Sequence, residues 1–579
     1  MKQAFLTIPI LLSSILIVFG QALPVGLDGK FDDWTNEASS YTDTQNDGAA
    51  FDLLSFKVAN DSNYLFIQIA VDKEIQLNYG NNLYLEIDTD NNPATGYQVN
   101  GIGAELGINF GTKTFYFNTT SGTTEISPYD IGFIALPTVT SDTFEIAIDR
   151  NAIPDGTNQL FTSNTVKICF KDDNAGGDYM PDEGTTFSYT FDNNSVGNYN
   201  FINLEKNNES DIRLMTYNTL YDGLISSDNG RVSAFQRIIT AVNPDIITFN
   251  ECWNTTQYQA QNLLNSWLPL QGNNWTCVKN DAGNITCSKF SVTDYYTIDP
   301  TYINRVTANV IDLPDSYPRD FLVINSHFKC CSDDDTRQKQ ADAIIEFIRD
   351  VKNSGGSITL PYGTPFVISG DLNLVGLSQQ LTTLLTGDIV DNYNFGDDIN
   401  PDWDNTDLTD IITFHTDKRI AVTIRDENSF YWPGRIDYTI ASDIGATVSK
   451  TFIIDTEEMS ADRLSQFGLQ TNDTKIASDH LPKVTDFIIE DIQNVSEIND
   501  VKIDLYPNPS FNKEFMLSYP DEQKLGNITV VNALGQVVYT KYTTENKTKI
   551  NLSAFPSGIY FVKIKSSGKN ILLKLILGF

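Results

Sequence analysis

Two of the chain's three histidines stand where short apolar runs give way to acids and amides. "FLVINSH" ends at His327, and "SDH" sets Asp479 beside His480. Four further segments follow the same plan: "MTYN" ends in Asn218, "FNE" in Glu251, "GRID" in Asp437, and "SGDLN" carries Asp371 and Asn373. A rigid strand that stops at a polar residue can deliver it to one edge of a sheet, where several such ends meet. Singly, each of these residues would do no more than cap a turn. As an ordered set they fit hydrolysis of a phosphoester assisted by a divalent cation. Oxygen donors from Asn218, Glu251 and Asp479 suit hard Mg²⁺ or Ca²⁺, which neutralises phosphate and the charge that develops on a leaving oxygen. No cysteine–histidine spacing for structural zinc and no glycine-rich loop followed by lysine is present. His415, in "ITFHTDK", fits no such set and is expected to be a surface or loop histidine.

The elements that must position these residues lie in 211–490. "RVSAFQRIITAV" spaces Val232, Phe235, Ile238, Ile239 and Val242 as one helical face, and the strand "IITF" follows. A second helix, "RQKQADAIIEFIRDV", separates the strands "FLVINSHF" and "PFVISGD". Alternation of helices with apolar strands predicts a layered α/β domain. On either side the pattern changes. Residues 23–191 give short alternating runs such as "YLFIQIAVD" and "TFEIAID", the pattern of an all-β sandwich. The polar stretch 192–210 reads as a linker, the acidic stretch 491–501 as a second, and 502–579 as a small β-sandwich.

The first 22 residues, with Lys2 ahead of an apolar run and small residues after it, read as a secretory signal peptide, so the protein is expected to be exported with no stable transmembrane anchor. Export permits disulfides. Cys277 and Cys287 flank a hairpin they could staple, Cys169 is expected to be a buried thiol, and pairing of Cys252, Cys330 and Cys331 stays open. Net charge is −36, with 75 acidic against 39 basic residues, which disfavours broad non-specific nucleic-acid binding. It leaves room for a nuclease working through metal ions and a local basic patch, for which Arg305, Arg319, Lys329 and Arg337 are candidates. Trp253, Tyr431 and Trp432 either stack a base or belong to the core.

The ordered set "MTYN", "NE", "NSH", "SGDLN", "GRIDY" and "SDH" resembles the endonuclease/exonuclease/phosphatase superfamily over about 280 residues. The resemblance implies a four-layer α/β sandwich, with two sheets face to face and helices outside. It implies Asn218, Glu251 and Asp479 at a metal (Mg²⁺, or Ca²⁺ or Mn²⁺). Asp371 and Asn373 would orient or activate the attacking water and hold phosphate, Asp437 would pair with His480, and His327 would contact phosphate or assist the leaving group. A secreted phosphodiesterase is the expectation, with extracellular nucleic acid the leading substrate and phospholipid, sphingomyelin or small organic phosphoesters the alternative. An inactive surface binding protein on the same fold is the contrasting possibility, and it would predict a lost ligand.

The flanking segments carry two more resemblances. "LDGKFDDW" and "YLEIDTDNNPATGY" resemble carbohydrate-binding-like sandwiches, which implies a glycan partner. Asp88, Asp90 and Asn92, with Glu105 downstream, either cradle Ca²⁺ or form a solvated turn. "YPNPS", "NALGQVVY" and "LSAFPSGIYFVKI" resemble the type A C-terminal sorting domain of type IX secretion, which implies passage through that machinery to the outer surface or medium of a Bacteroidota-like bacterium.

Overall fold

The computed structural model describes residues 25–34, 39–194, 199–280, 282–298, 305–353, 356, 358–429, 431–491, 504–518, 526–532, 537–566 and 569–578. The signal peptide read over 1–22 and most of the acidic linker 491–501 lie outside them. The chain forms two compact units, Met1–Glu490 and Asp491–Phe579. No described helix is long and apolar enough to cross a membrane.

At the centre of the first unit two six-stranded sheets lie face to face. One runs in the order Thr276–Val278, Ile285–Ser288, Ile246–Asn250, Ile212–Asn218, Lys483–Ile489, Ala446–Ile453. The other runs Ser291–Thr297, Val306–Asp312, Phe321–His327, Phe366–Asp371, Asp437–Ala441, Thr409–Asp410. Their inner faces share a core in which Ile212, Leu214 and Ile246 meet Phe321, Val323 and Val367. The helix Asn229–Val242 covers the outer face of the first sheet through Phe235, Ile238 and Ile239. Asp334–Lys352 covers the second through Ile344, Ile345 and Ile348. Each helix connects two parallel neighbours, Ile212–Asn218 to Ile246–Asn250 and Phe321–His327 to Phe366–Asp371. Because both strand faces are covered, these strands read as unbroken apolar runs rather than alternating ones. The result is the four-layer α/β sandwich.

The core between the sheets changes character along the strands. Its far end is apolar. Toward the strand ends that carry the chemistry it becomes a seam of amides and hydroxyls: Thr216 bonds Thr248 at 2.9 Å and also Ser369, and Asn250 donates to Asn325 at 2.9 Å and to Asn284 at 3.0 Å. Buried polar groups are tolerable only when bonded in this way.

The N-terminal segment forms a five-stranded and a seven-stranded sheet around one core. That core is completed from outside. Trp432, which belongs to the central domain by sequence, is 8% exposed and sits among Phe133 (ring centres 5.3 Å apart), Phe115 (6.3 Å) and Phe110 (6.4 Å). Of the two readings open for Trp432, the structure gives the core one: it anchors one domain in the other. Residues 199–210, read as linker, lie along the central domain, where Ile202 N–H donates to the Thr416 carbonyl at 2.9 Å and Leu204 is buried. His415 is corrected as well. It is 1% exposed, ion-paired to Glu458 at 2.7 Å and bonded through Nε2 to the Val422 carbonyl at 2.8 Å. Cys277 and Cys287 are paired residues of an antiparallel hairpin and form a disulfide, and Cys169 is a buried thiol.

The second unit packs a three-stranded sheet against a four-stranded one, with Phe515, Leu517 and Ile550 meeting Ile528, Val530 and Val562. It is a small all-β sandwich.

Trp432→Ala should cost about 3–5 kcal/mol in equilibrium denaturation by urea, the range for emptying a buried tryptophan site. A tryptophan that merely lined a substrate cleft would leave the unfolding midpoint almost unchanged.

Candidate active site

Strand register assembles the site. His327 pairs with Asp371 across parallel strands, and Asp371 pairs in turn with Asp437 across antiparallel ones, so three functional residues stand in one row. Asn218 is the last residue of its strand, beside Asn250. His480 lies just ahead of Lys483, which is itself paired to Thr216, and so reaches the same edge. The "SGD" strand end needs its glycine. Gly370 has φ +147°, and a Cβ there would fall 1.8 Å from the Ser326 carbonyl oxygen of the neighbouring strand.

Asp371 is the hub. Its Oδ1 accepts from the Asn373 backbone at 2.9 Å, and its Oδ2 accepts from the Asn373 and Asn218 amides, both at 3.0 Å. Its own N–H donates to Asn250 at 3.0 Å. Nε2 of His327 and Nε2 of His480 each lie 3.7 Å from that same Oδ2. The Asn218 amide also reaches Glu251 at 3.2 Å, which ties the proposed metal residues to the hub. The site thus brings together Asn218, Glu251, His327, Asp371, Asn373, Asp437, Asp479 and His480.

The loop after Asn218 is strained. Leu220, Tyr221 and Asp222 all have positive φ (45°, 51° and 61°), as do Glu251 (57°) and Asn373 (46°). Non-glycine residues avoid this region at about 1–2 kcal/mol each. Here hydrogen bonds hold it: Leu220 N–H donates to Asn218 at 3.0 Å, Tyr221 N–H to Glu251 at 3.0 Å, and Asp222 accepts from Asn254 and Thr255 backbone N–H groups at 2.8 Å each. The strain aims Asn218 and Glu251 at a common point.

Electrostatics separates the two histidines. Burial opposes charge on His480, but Asp437 at 2.8 Å on Nδ1, then Asp371, raise its pKa to about 10. His327 is pushed down to about 3 by burial, by Arg305 and by charged His480. One imidazole is a fixed cation and the other stays neutral. Burial raises Asp371 to about 7, against the pull of His480. Asp371, Asp437 and His480 offer ligand atoms within 4.8 Å of one another. The imidazolium already supplies positive charge there. Asn218, Glu251 and Asp479 offer oxygen only. Burial raises Asp479, His480 lowers it, and Glu251 raises it further, so two carboxylates face each other at this end. That donor set fits a hard divalent cation.

Several sequence expectations about the surroundings need correction. Arg337 is fully buried and donates to the Lys329 and Cys331 carbonyls at 2.9 and 2.7 Å, so it cannot grip a substrate. Arg319 donates to the Tyr362 carbonyl at 2.6 Å and precedes the strand that ends at His327, at the opposite edge of the sheet. Arg305 does reach the site, its guanidinium 4.6 Å from the Trp253 ring centre, and Trp253 lies 5.6 Å from the His327 ring. Sequence reasoning missed Asn250 and Asn284, which brace Asp371 and the His327 strand. The "NE" pair pointed at Asn250, whereas nothing around Asn284 marked it. It also missed that the N-terminal sandwich holds the site from behind: Thr138 Oγ1 donates to the Leu374 carbonyl at 2.7 Å and the Arg435 carbonyl at 3.2 Å, and Thr140 N–H to Gly376 at 2.8 Å.

Residues 215–480 match the endonuclease/exonuclease/phosphatase family, and residues 504–578 match the secretion system C-terminal sorting domain. The first unit therefore contains a phosphoesterase-class α/β sandwich. The central domain belongs to the endonuclease/exonuclease/phosphatase family, and the chain ends in a sorting domain. Solved structures similar to it include the human Nocturnin catalytic domain with bound sulfate (16% identity, 50% of this chain and 97% of that one, TM-score 0.31). An endonuclease/exonuclease/phosphatase family protein from Leptotrichia buccalis C-1013-b is 12% identical over 48% of this chain and 100% of that one, TM-score 0.31. Beta toxin from Staphylococcus aureus is 15% identical over 48% and 100%, TM-score 0.29. No curated protein matches the chain.

With only three histidines, ring NMR resolves the electrostatics directly. In chelator, His480 should stay protonated past pH 8 and His327 should stay neutral until about pH 3. Asp437→Asn should bring the His480 titration down toward neutrality, while a titration of His480 near pH 6.5 in the unaltered protein would contradict the assigned charges.

Proposed function

We propose that the protein is an exported, divalent-metal-dependent phosphodiesterase, with nucleic acid as its leading substrate. The observation that carries this reading is the convergence of two histidines, one cationic and one neutral, on one carboxylate, Asp371, beside an oxygen-only donor set. Asp371, raised toward neutrality by burial, takes the proton of the attacking water while Asn373 holds its carboxylate in place. His480, kept cationic by Asp437, donates to a phosphoryl oxygen, where charge accumulates. His327, neutral and reaching the same space, hydrogen-bonds the phosphoryl group or the departing oxygen. Asn218, Glu251 and Asp479 would hold Mg²⁺, Ca²⁺ or Mn²⁺, which supplies Lewis acidity toward the phosphate.

Trp253 with Arg305 beside His327 supports a nucleotide substrate, since a ring and a guanidinium there suit a base or a backbone phosphate. A second reading, a small organic phosphodiester, rests on how the nearby cations are used. Lys279 donates to the carbonyls of Trp253 and Thr255, Arg231 to those of Ala477 and Thr219, and Arg425 pairs with Asp455, so no broad basic groove forms from them. In the N-terminal sandwich, Asp88, Asp90 and Glu105 bring ligand atoms within 4.8 Å of one another and are proposed as a structural Ca²⁺ site. Asn92 lies in the same turn, its N–H donating to Asp88 and Asp90. Glycan binding by this sandwich is proposed from its sequence likeness alone.

The full chain, with His480→Ala alongside, should be given supercoiled plasmid, single-stranded DNA, RNA, sphingomyelin vesicles and bis(p-nitrophenyl) phosphate, in Mg²⁺ and in chelator. Cleavage of a nucleic acid that chelator abolishes and His480→Ala lowers by about 10²-fold or more would support the leading reading. Turnover of the small diester alone would favour the second, and no metal-dependent turnover of any phosphoester would sink both.

The sorting domain supports export by the type IX route to the outer surface or medium of a Bacteroidota-like cell. A chain lacking residues 502–579 should accumulate in the periplasm of such a host; its normal appearance in the medium would refute the route.

A further inference from the structure

Away from the active site, the N-terminal sandwich gathers five aspartates from two segments of the chain. Asp43 follows the strand Ser39–Thr42, Asp47 and Asp52 lie in the turn after it, and Asp178 and Asp182 flank the short strand Tyr179–Met180. Ligand oxygens of Asp43, Asp47 and Asp182 lie within 4.8 Å of one another, as do those of Asp47, Asp52 and Asp178. Asp47 belongs to both groups, so all five carboxylates converge on one place.

The members are not equivalent. Asp52 is satisfied by the backbone N–H groups of Asn46, Asp47 and Gly48, at 2.7, 3.0 and 3.0 Å. Asp178 accepts from Leu53 N–H at 2.8 Å, and Asp182 from the Thr44 and Tyr41 hydroxyls at 3.2 and 3.3 Å. Asp43 has nothing. It is 6% exposed, and neither of its carboxylate oxygens has a hydrogen-bond partner. Besides burial, the charges that act on it most are all negative, those of Asp178, Asp182, Asp47 and Asp52. A buried carboxylate with no N–H donor and no basic side chain, facing four more carboxylates, is strongly unfavourable unless a cation joins it.

We propose that Asp43, Asp47 and Asp182, backed by Asp52 and Asp178, form a calcium site. The donors are all hard oxygen, and the carboxylates outnumber what a small, strictly octahedral, water-retaining Mg²⁺ accepts. Asp47 is exposed, which leaves an entry path and room for water ligands. The ion ties the turn after the first strand to the segment around Tyr179–Met180. Its effect extends further, because Asp52 exchanges backbone and side-chain bonds with Asp72 at 2.9 and 3.0 Å. Asp72 lies on the strand Tyr64–Ile75, whose Glu74 accepts from Ser378 at 2.9 Å. Gln76, next after the strand, donates to the Val375 carbonyl at 2.8 Å. The site therefore braces the strand that supports the loop after Asn373.

The test uses the full chain stripped with chelator and titrated with CaCl₂ at fixed ionic strength, reading stoichiometry by calorimetry and stability by thermal melting. Asp43→Asn removes the orphaned charge, Asp47→Asn alters an exposed rim position with little risk to folding, and Asp88→Asn controls for the other acidic cluster. Asp43→Asn and Asp47→Asn should each lose one bound Ca²⁺ per chain, or bind it at least tenfold more weakly, with a smaller calcium-dependent rise in melting temperature. Asp88→Asn should keep this ion. In chelator, Asp43→Asn should melt no lower than the unaltered chain, since it relieves repulsion. Unchanged stoichiometry and affinity in both Asp43→Asn and Asp47→Asn would overturn the proposal. So would an Asp43→Asn chain that melts lower by the same amount with and without calcium.

Discussion

Two carboxylates paired across neighbouring strands, with one imidazolium against them, set the terms for the whole central domain. Asp371 and Asp437 are both buried, and their mutual repulsion is offset by the charge that His480 carries between them. Such a group of charges holds only if its members cannot drift, because in a poorly polarisable interior small displacements change large energies. The parallel and antiparallel register on either side of Asp371 provides that constraint. His327 stays neutral chiefly because it is buried, with Arg305 and then the His480 imidazolium adding to the effect. Different surroundings thereby assign different chemistry to two identical side chains.

Between the sheets, the passage from apolar packing to amides and hydroxyls lets the domain be stable at one end and polar at the other. Asn250 illustrates the join. It accepts from the Asp371 backbone and donates to Asn284 and Asn325, all within the buried interior. The left-handed backbone at 220–222, 251 and 373 works against folding locally, and the apolar cores on both faces of each sheet offset it. Strain concentrated at a site and compensated elsewhere is typical of catalytic loops.

Much of the site was readable in the amino-acid order because each of its residues closes an apolar run, and runs of that kind become strands whose ends meet. What could not be read were relations between residues remote in sequence. His415 sits amid polar neighbours in "FHTDK", yet its burial depends on Glu458 far along the chain. Arg337 shares a helix with acids and looked free, whereas backbone carbonyls of the preceding loop occupy it. Trp432 follows Tyr431 in what reads as a loop, and only the assembled aromatic cluster of the other domain gives it a place. The five aspartates of the N-terminal sandwich were equally hidden, being spread over two segments that only the sheet brings together.

Trp432 within the Phe110–Phe115–Phe133 cluster, together with Thr138 and Thr140 bonded behind Leu374, Arg435 and Gly376, changes what counts as a module here. The two β- and α/β-layered parts behave as a heterodimer whose partners happen to share a polypeptide, each held at high effective concentration for the other. A foreign sandwich joined to this catalytic half would have to bring a matching aromatic socket, or leave Trp432 without its place.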